Sequence, residues 1–214
     1  MPRPGTPSSS PDALYRDFEH FLDSIRRKGS RSPLSAPQAP DNYYYPEARL
    51  QSFFADRLKH IVRTLLPSHV DDRLLRRDYT KVSAILLALR RGPDIARFLG
   101  KPGFSDSQLP FDNRSAFVGV VGDEAFFDDF YQYQWKFCAP KLELSWGRHW
   151  EPERILPFEI VSQLGRGAGG RTYLIKLDRE YNDFDEGRHV DTVVSTRIVF
   201  SRHYCTNHHD TGSR

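Results

Sequence analysis

Apolar residues recur at helical spacing through the first two-thirds of the chain. Nearer the C-terminus they give way to short runs rich in β-branched and aromatic residues. Leu14, Phe18, Phe21, Leu22 and Ile25 form one stripe and predict a helix over Asp12–Lys28. Residues 1–11, mostly Pro, Ser, Gly and Thr, read as disordered. Pro33, Pro37 and Pro40, with several serines, mark residues 29–45 as a linker. The stripe reads as an ordinary amphipathic helix packing on its own protein; its isolation also suits a peptide that binds a partner.

Leu50, Phe53, Phe54, Leu58, Ile61, Val62, Leu65 and Leu66 make a wide apolar face and predict a second helix from Pro46 to Leu66, stopped by Pro67. A short helix over Asp71–Arg77 opens on two aspartates, which suits the helix dipole. Val82, Ile85, Leu86 and Leu89 predict another over Thr80–Arg90, and Ile95, Phe98 and Leu99 a short one after Pro93. Gly103 to Gly122 reads as loops around Leu109-Pro110-Phe111. Asp123–Cys138 predicts a last helix dense in aromatics, a stripe that suits core packing better than base stacking.

The composition turns near Pro152. Phe158–Gln163 and Thr172–Leu177 read as strands, with a further strand over Thr192–Phe200. The fold class is therefore α+β: a helical domain over residues 46–151, then a small antiparallel β unit over 152–200 and a disordered tail over 201–214. So small a sheet needs cover on its apolar face. The aromatic helix around Trp135, or another of the preceding helices, is expected to supply it.

Between the two strands lies Leu164-Gly165-Arg166-Gly167-Ala168-Gly169-Gly170-Arg171-Thr172, with glycines in the spacing G-x-G-x-x-G. Without Cβ atoms, such a stretch brings backbone N–H groups close to phosphates. A dinucleotide fingerprint requires a helix after the glycines, whereas here a strand follows. Strand, glycine loop, strand opens a protein kinase. The plain alternative is a glycine-rich hairpin turn with no ligand.

The segment resembles the first two strands of a protein-kinase N-lobe, with Thr172 where kinases usually carry Val. Residues 45–180 resemble the protein-kinase-domain proteins of filamentous fungi that have a long helical preface. The resemblance runs through the apolar helix Val82–Leu89, Leu109-Pro110-Phe111, Gln134-Trp135, Ala139-Pro140 and Ile155-Leu156-Pro157-Phe158. It implies ATP with Mg²⁺ as ligand and Ser/Thr phosphorylation as activity. The nucleotide-binding residues it implies are Leu164, Gly165, Arg166, Gly167, Ala168, Gly169, Gly170 and Thr172, with Leu164 over the adenine.

Phosphoryl transfer needs more than a glycine loop. The third strand offers Arg197 where a kinase has its phosphate-holding Lys, and Arg presents its donors differently. Lys176 belongs to the second strand. No His-Arg-Asp or Asp-Phe-Gly sequence is present, and Asp183-Phe184-Asp185 lacks the glycine and comes too early. No catalytic residue or metal ligand is assigned, and the chain is expected to be inactive and to hold ATP poorly. The departure from the kinase pattern near Val194 suggests that Val194–Arg214 is translated intron or out-of-frame sequence ending a truncated product.

The formal charge of +3 demands no acidic partner. Residues 57–91 hold nine Lys or Arg against three Asp, which reads as solvated helix faces rather than a nucleic-acid surface. A protein partner on the helical domain, working without catalysis, is the second functional reading. Mean hydropathy is −0.61. No apolar run approaches the ~20 residues of a membrane helix, and the start lacks a signal peptide. With only Cys138 and Cys205, an intracellular location, cytoplasmic or nuclear, is expected. His203, Cys205, His208 and His209 could number a zinc set, but in no familiar spacing.

Overall fold

A computed structural model describes residues 10–31, 42–67, 70–142, 150–167, 170–183 and 193–198. Expectations for the first nine residues, the middle of the 29–45 linker and the 201–214 tail, with its histidines and Cys205, lie outside these. Among the described residues, seven α-helices and two antiparallel sheets make the α+β arrangement that the pattern predicts.

Helix α1 (Pro11–Ile25) starts where Ser10 accepts the N–H of Ala13 at 3.3 Å, with Pro11 in the first turn. Leu14, Phe18, Leu22 and Ile25 are buried in one core with α2 (Glu47–Leu65) and α4 (Thr80–Ala88). The stripe packs into the protein's own interior, with Phe21 partly buried against it. The helix stops short of Lys28 because Arg27–Lys28 form strand β1, paired antiparallel with β2 (Tyr43–Tyr44). Both ends of the expected linker are thus tied down. Ser30 exchanges backbone hydrogen bonds with Leu156 at 2.9 and 2.8 Å. Gly29 permits this approach: a Cβ there would lie 2.7 Å from the Leu156 carbonyl oxygen and 2.6 Å from Ile155 Cγ2.

Asp71 caps α3 (Asp72–Asp78) by accepting the Arg73 N–H at 2.9 Å. Helix α4 runs through the centre, with Val82, Ile85 and Leu86 fully buried. A 3₁₀ turn at Gly92–Asp94 leads into α5 (Ile95–Phe98). The region expected to be loops from Gly103 to Gly122 contains α6 (Arg114–Val121). Asn113 accepts the Ala116 N–H at 2.9 Å, and Gly122 ends the helix at φ +76°. So short a helix places only Phe117 and Val121 in the core, too few for a periodic signal. Helix α7 (Glu124–Gln134) passes into a 3₁₀ turn at Trp135–Phe137. The aromatics do form core: Phe98, Phe111 and Phe130 lie with near-parallel rings, at 8° and 9° between planes.

Strands β3 (Phe158–Gly167), β4 (Gly170–Leu177) and β5 (Val193–Ile198) form an antiparallel sheet in that order. Phe158, Tyr173, Ile175 and Leu177 are buried on one face. The described residues that cover this face are Leu142, Trp150 and Leu156, not the helix around Trp135. Trp135 packs edge-on against Tyr131, with Arg154 over its ring. The reason is a tether: Leu142 donates to the Tyr181 carbonyl at 2.8 Å and accepts from Asp183 N–H at 2.9 Å. The segment leaving the helices therefore reaches the apolar face of the sheet first.

Candidate functional site

The glycine stretch extends the β3–β4 hairpin instead of forming a slack loop. Gly165 lies opposite Thr172, Arg166 opposite Arg171 and Gly167 opposite Gly170. Ala168 and Gly169, between the last pair, lie outside the described residues. A strand, β4, leaves Gly170, so the helix that a dinucleotide fingerprint requires is not there.

Two register shifts interrupt the ladder, one at Val161 and one at Leu164. Each leaves one extra residue on β3 and strengthens the local twist. Leu164 is exposed, beside the first glycine. A Cβ on Gly165 would meet nothing within 4 Å, so that position stands open to a ligand. Thr172 is half-buried, next to the buried Tyr173. Beyond β4, Arg197 of β5 is the register partner of Thr172, and Val193 that of Lys176. Lys176 faces Glu159 across β3–β4 and belongs to the second strand of this sheet, as its sequence context indicates. Among the described residues, no cluster of His, Cys, Asp or Glu could hold a metal ion.

A second concavity is a cleft of about 720 Å³ between the helices and the turn that follows β4. The first turns of α2 and α4 open on it, with Asp106, Cys138, Arg154 and Tyr181 among its walls. Asp106 belongs to a 3₁₀ turn (Asp106–Gln108), yet its carboxylate accepts the N–H groups of Lys81 and Val82, each at 2.9 Å. It caps α4 from another part of the chain. Burial pushes Asp106 up to about 6, against the opposite pull of those two backbone donors. Lys81 reaches Glu47 at 2.8 Å, and Arg154 binds Glu151 at 2.6 Å while donating to the Cys138 carbonyl at 3.1 Å. Burial pushes the Cys138 thiol up to about 12, which keeps it protonated and a poor nucleophile. Charges in this cleft are matched within the protein, so it reads as a structural seam. One sequence signal pointed to it: Ser105-x-x-Gln108 forms a capping box, the mark of a helical turn.

The basic run at 57–91 is partly neutralised. Five of its nine cations have acidic partners: Arg57 with Asp17, Arg77 with Asp78, Lys81 with Glu47, Arg90 with Glu19, and Arg91 with both Asp94 and Asp123. No helix among the described residues is long and apolar enough to cross a membrane.

No protein-family model, no curated protein and no solved structure matches the chain.

Proposed function

We propose that residues 158–198 are the opening strands of a protein-kinase-type N-lobe, joined to a helical preface of the kind carried by protein-kinase-domain proteins of filamentous fungi. In this reading the hairpin around Gly167 holds nucleotide phosphates through its backbone N–H groups. One observation carries it: the G-x-G-x-x-G segment is built into an antiparallel hairpin whose second strand starts at Gly170. ATP with Mg²⁺ is the proposed ligand, with Leu164 against the base. The chain does not phosphorylate a protein in this reading, because its sequence contains no catalytic loop and no metal-binding Asp-Phe-Gly, and Arg197 stands on the third strand in place of Lys.

The test is thermal unfolding of the full chain with and without ATP·Mg²⁺. Ligand that binds only the folded state raises the midpoint by mass action. The expected result is a small, saturable rise with ATP, lost with adenosine. An unchanged midpoint at millimolar ATP·Mg²⁺ would remove the nucleotide reading.

A further inference from the structure

A third concavity, of about 370 Å³, is walled by β1, β2, the open end of the β3–β4 hairpin and the turn after it. At this end Phe158 lies opposite Leu177, and Glu159 opposite Lys176. The glycines close the other end of the hairpin, with Gly167 opposite Gly170, so the groove is separate from the glycine stretch. Its apolar lining is Tyr44, Pro157, Phe158 and Leu177, all buried. Part of its charged lining is closed within the protein. The Asp178 carboxylate accepts Arg27, the Tyr44 hydroxyl and the Glu180 N–H, and Arg27 Nη2 also binds Glu180 at 3.0 Å. The rest of the charged lining is not closed. Lys28, Lys176, Arg179 and Glu159 are exposed, and among the described residues none of the four is in an ion pair.

We infer that this groove binds the phosphate of a small phosphomonoester, held by Lys28, Lys176 and Arg179 beside the apolar lining. Three unpaired cations against one carboxylate leave a surplus of two positive charges. A phosphate monoester carries about −2 near neutral pH and matches that surplus, whereas a carboxylate or sulfonate matches half of it. Arg179 offers a planar fork for two phosphate oxygens, and the lysines add point charges from β1 and β4. The volume lies in the range of small-molecule sites, which begins at about 300 Å³. The rim is exposed, so water screens these charges and the affinity is modest. The site shares no residue with the glycine stretch, so it stands or falls apart from the ATP proposal.

The experiment is an amide chemical-shift titration of the full chain with phenyl phosphate at constant ionic strength. Saturable shifts are expected at residues 27–28 and 176–179. Benzenesulfonate, of similar shape but a single charge, should bind about tenfold more weakly. The Lys176→Gln/Arg179→Gln double variant should lose about tenfold in affinity for phenyl phosphate, and Glu159→Gln should gain about threefold because the opposing charge is gone. These side chains are exposed, so the variants should keep the fold; if the double variant does not, Lys28→Gln and Glu159→Gln decide by opposite changes in affinity. Shifts that fail to saturate by about 20 mM overturn the inference. So do shifts centred on residues 165–172, equal binding of benzenesulfonate, or a folded double variant that binds as well as the natural chain.

Discussion

The side-chain amide of Gln134 bonds both backbone groups of Phe111: it accepts the Phe111 N–H at 2.7 Å and donates to the Phe111 carbonyl at 3.0 Å. Gln134 is fully buried at the end of α7. Two short sequence motifs, Leu109-Pro110-Phe111 and Gln134-Trp135, are in this way parts of one contact. Gln134 lets a loop backbone sit inside an aromatic core without unpaired polar groups. Replacing Gln134 with Leu keeps the volume and strands both Phe111 groups. The expected loss is roughly 2–4 kcal/mol of stability, read from chemical denaturation midpoints. Gln134→Glu should also destabilise, because the Phe111 carbonyl loses its donor.

Arg27 holds Asp178 across 151 residues of chain, with Nη1 at 2.7 Å from both carboxylate oxygens. The buried Tyr44 hydroxyl donates to the same carboxylate, and its ionisation is raised by burial and by that contact. Arg27→Ala leaves Asp178 with fewer donors while nine-tenths shielded from solvent. Because Arg27 itself is partly exposed, the expected loss is roughly 1–3 kcal/mol, read from denaturation midpoints. The loss should centre on the sheet, with amide exchange accelerating in β4 more than in α4.

Asp106 gives a pH dependence of definite sign. Its folded value is raised, from 3.8 to about 6, so the folded state binds a proton more readily than the unfolded chain. The stabilising contribution is full below the unfolded value and is lost as pH rises through about 6. Asp106→Asn should flatten this component, seen as the difference between the two proteins' stability curves from acid to neutral pH. An amplitude of roughly 1–3 kcal/mol is expected. A difference that grows above neutral pH would contradict the assignment.

Gly165 separates the nucleotide proposal from folding. A side chain there meets nothing, so Gly165→Val should leave the unfolding midpoint without ligand nearly unchanged. In the proposed complex the same side chain sits between the backbone and the phosphates. The ATP-dependent rise should then shrink about tenfold in affinity. Equal ATP response in both proteins would place any nucleotide elsewhere.

Periodicity alone determined most of the helical domain. The stripes of α1, α2 and α4 are long enough to bury one face, and that face is the core whatever lies around it. The strand–glycine–strand order was equally plain, because β-branched residues on both sides of Gly165, Gly167 and Gly170 leave no room for a helix. Helix α6 was hidden by its shortness: a two-turn helix offers too few apolar positions to show a period, and only its caps, Asn113 and Gly122, mark it. Local sequence could not reveal which parts meet. The Asp106 cap on α4, the Arg27–Asp178 pair and the cover of the sheet by Leu142, Trp150 and Leu156 depend on contacts between segments far apart in the chain. Such contacts arise only when packing brings the segments together, and no spacing along the sequence encodes them. The exposure of Val161 and Leu164 is of the same kind: apolar alternation would put one of each neighbouring pair inside, and the bulges, a product of strand pairing, put both out.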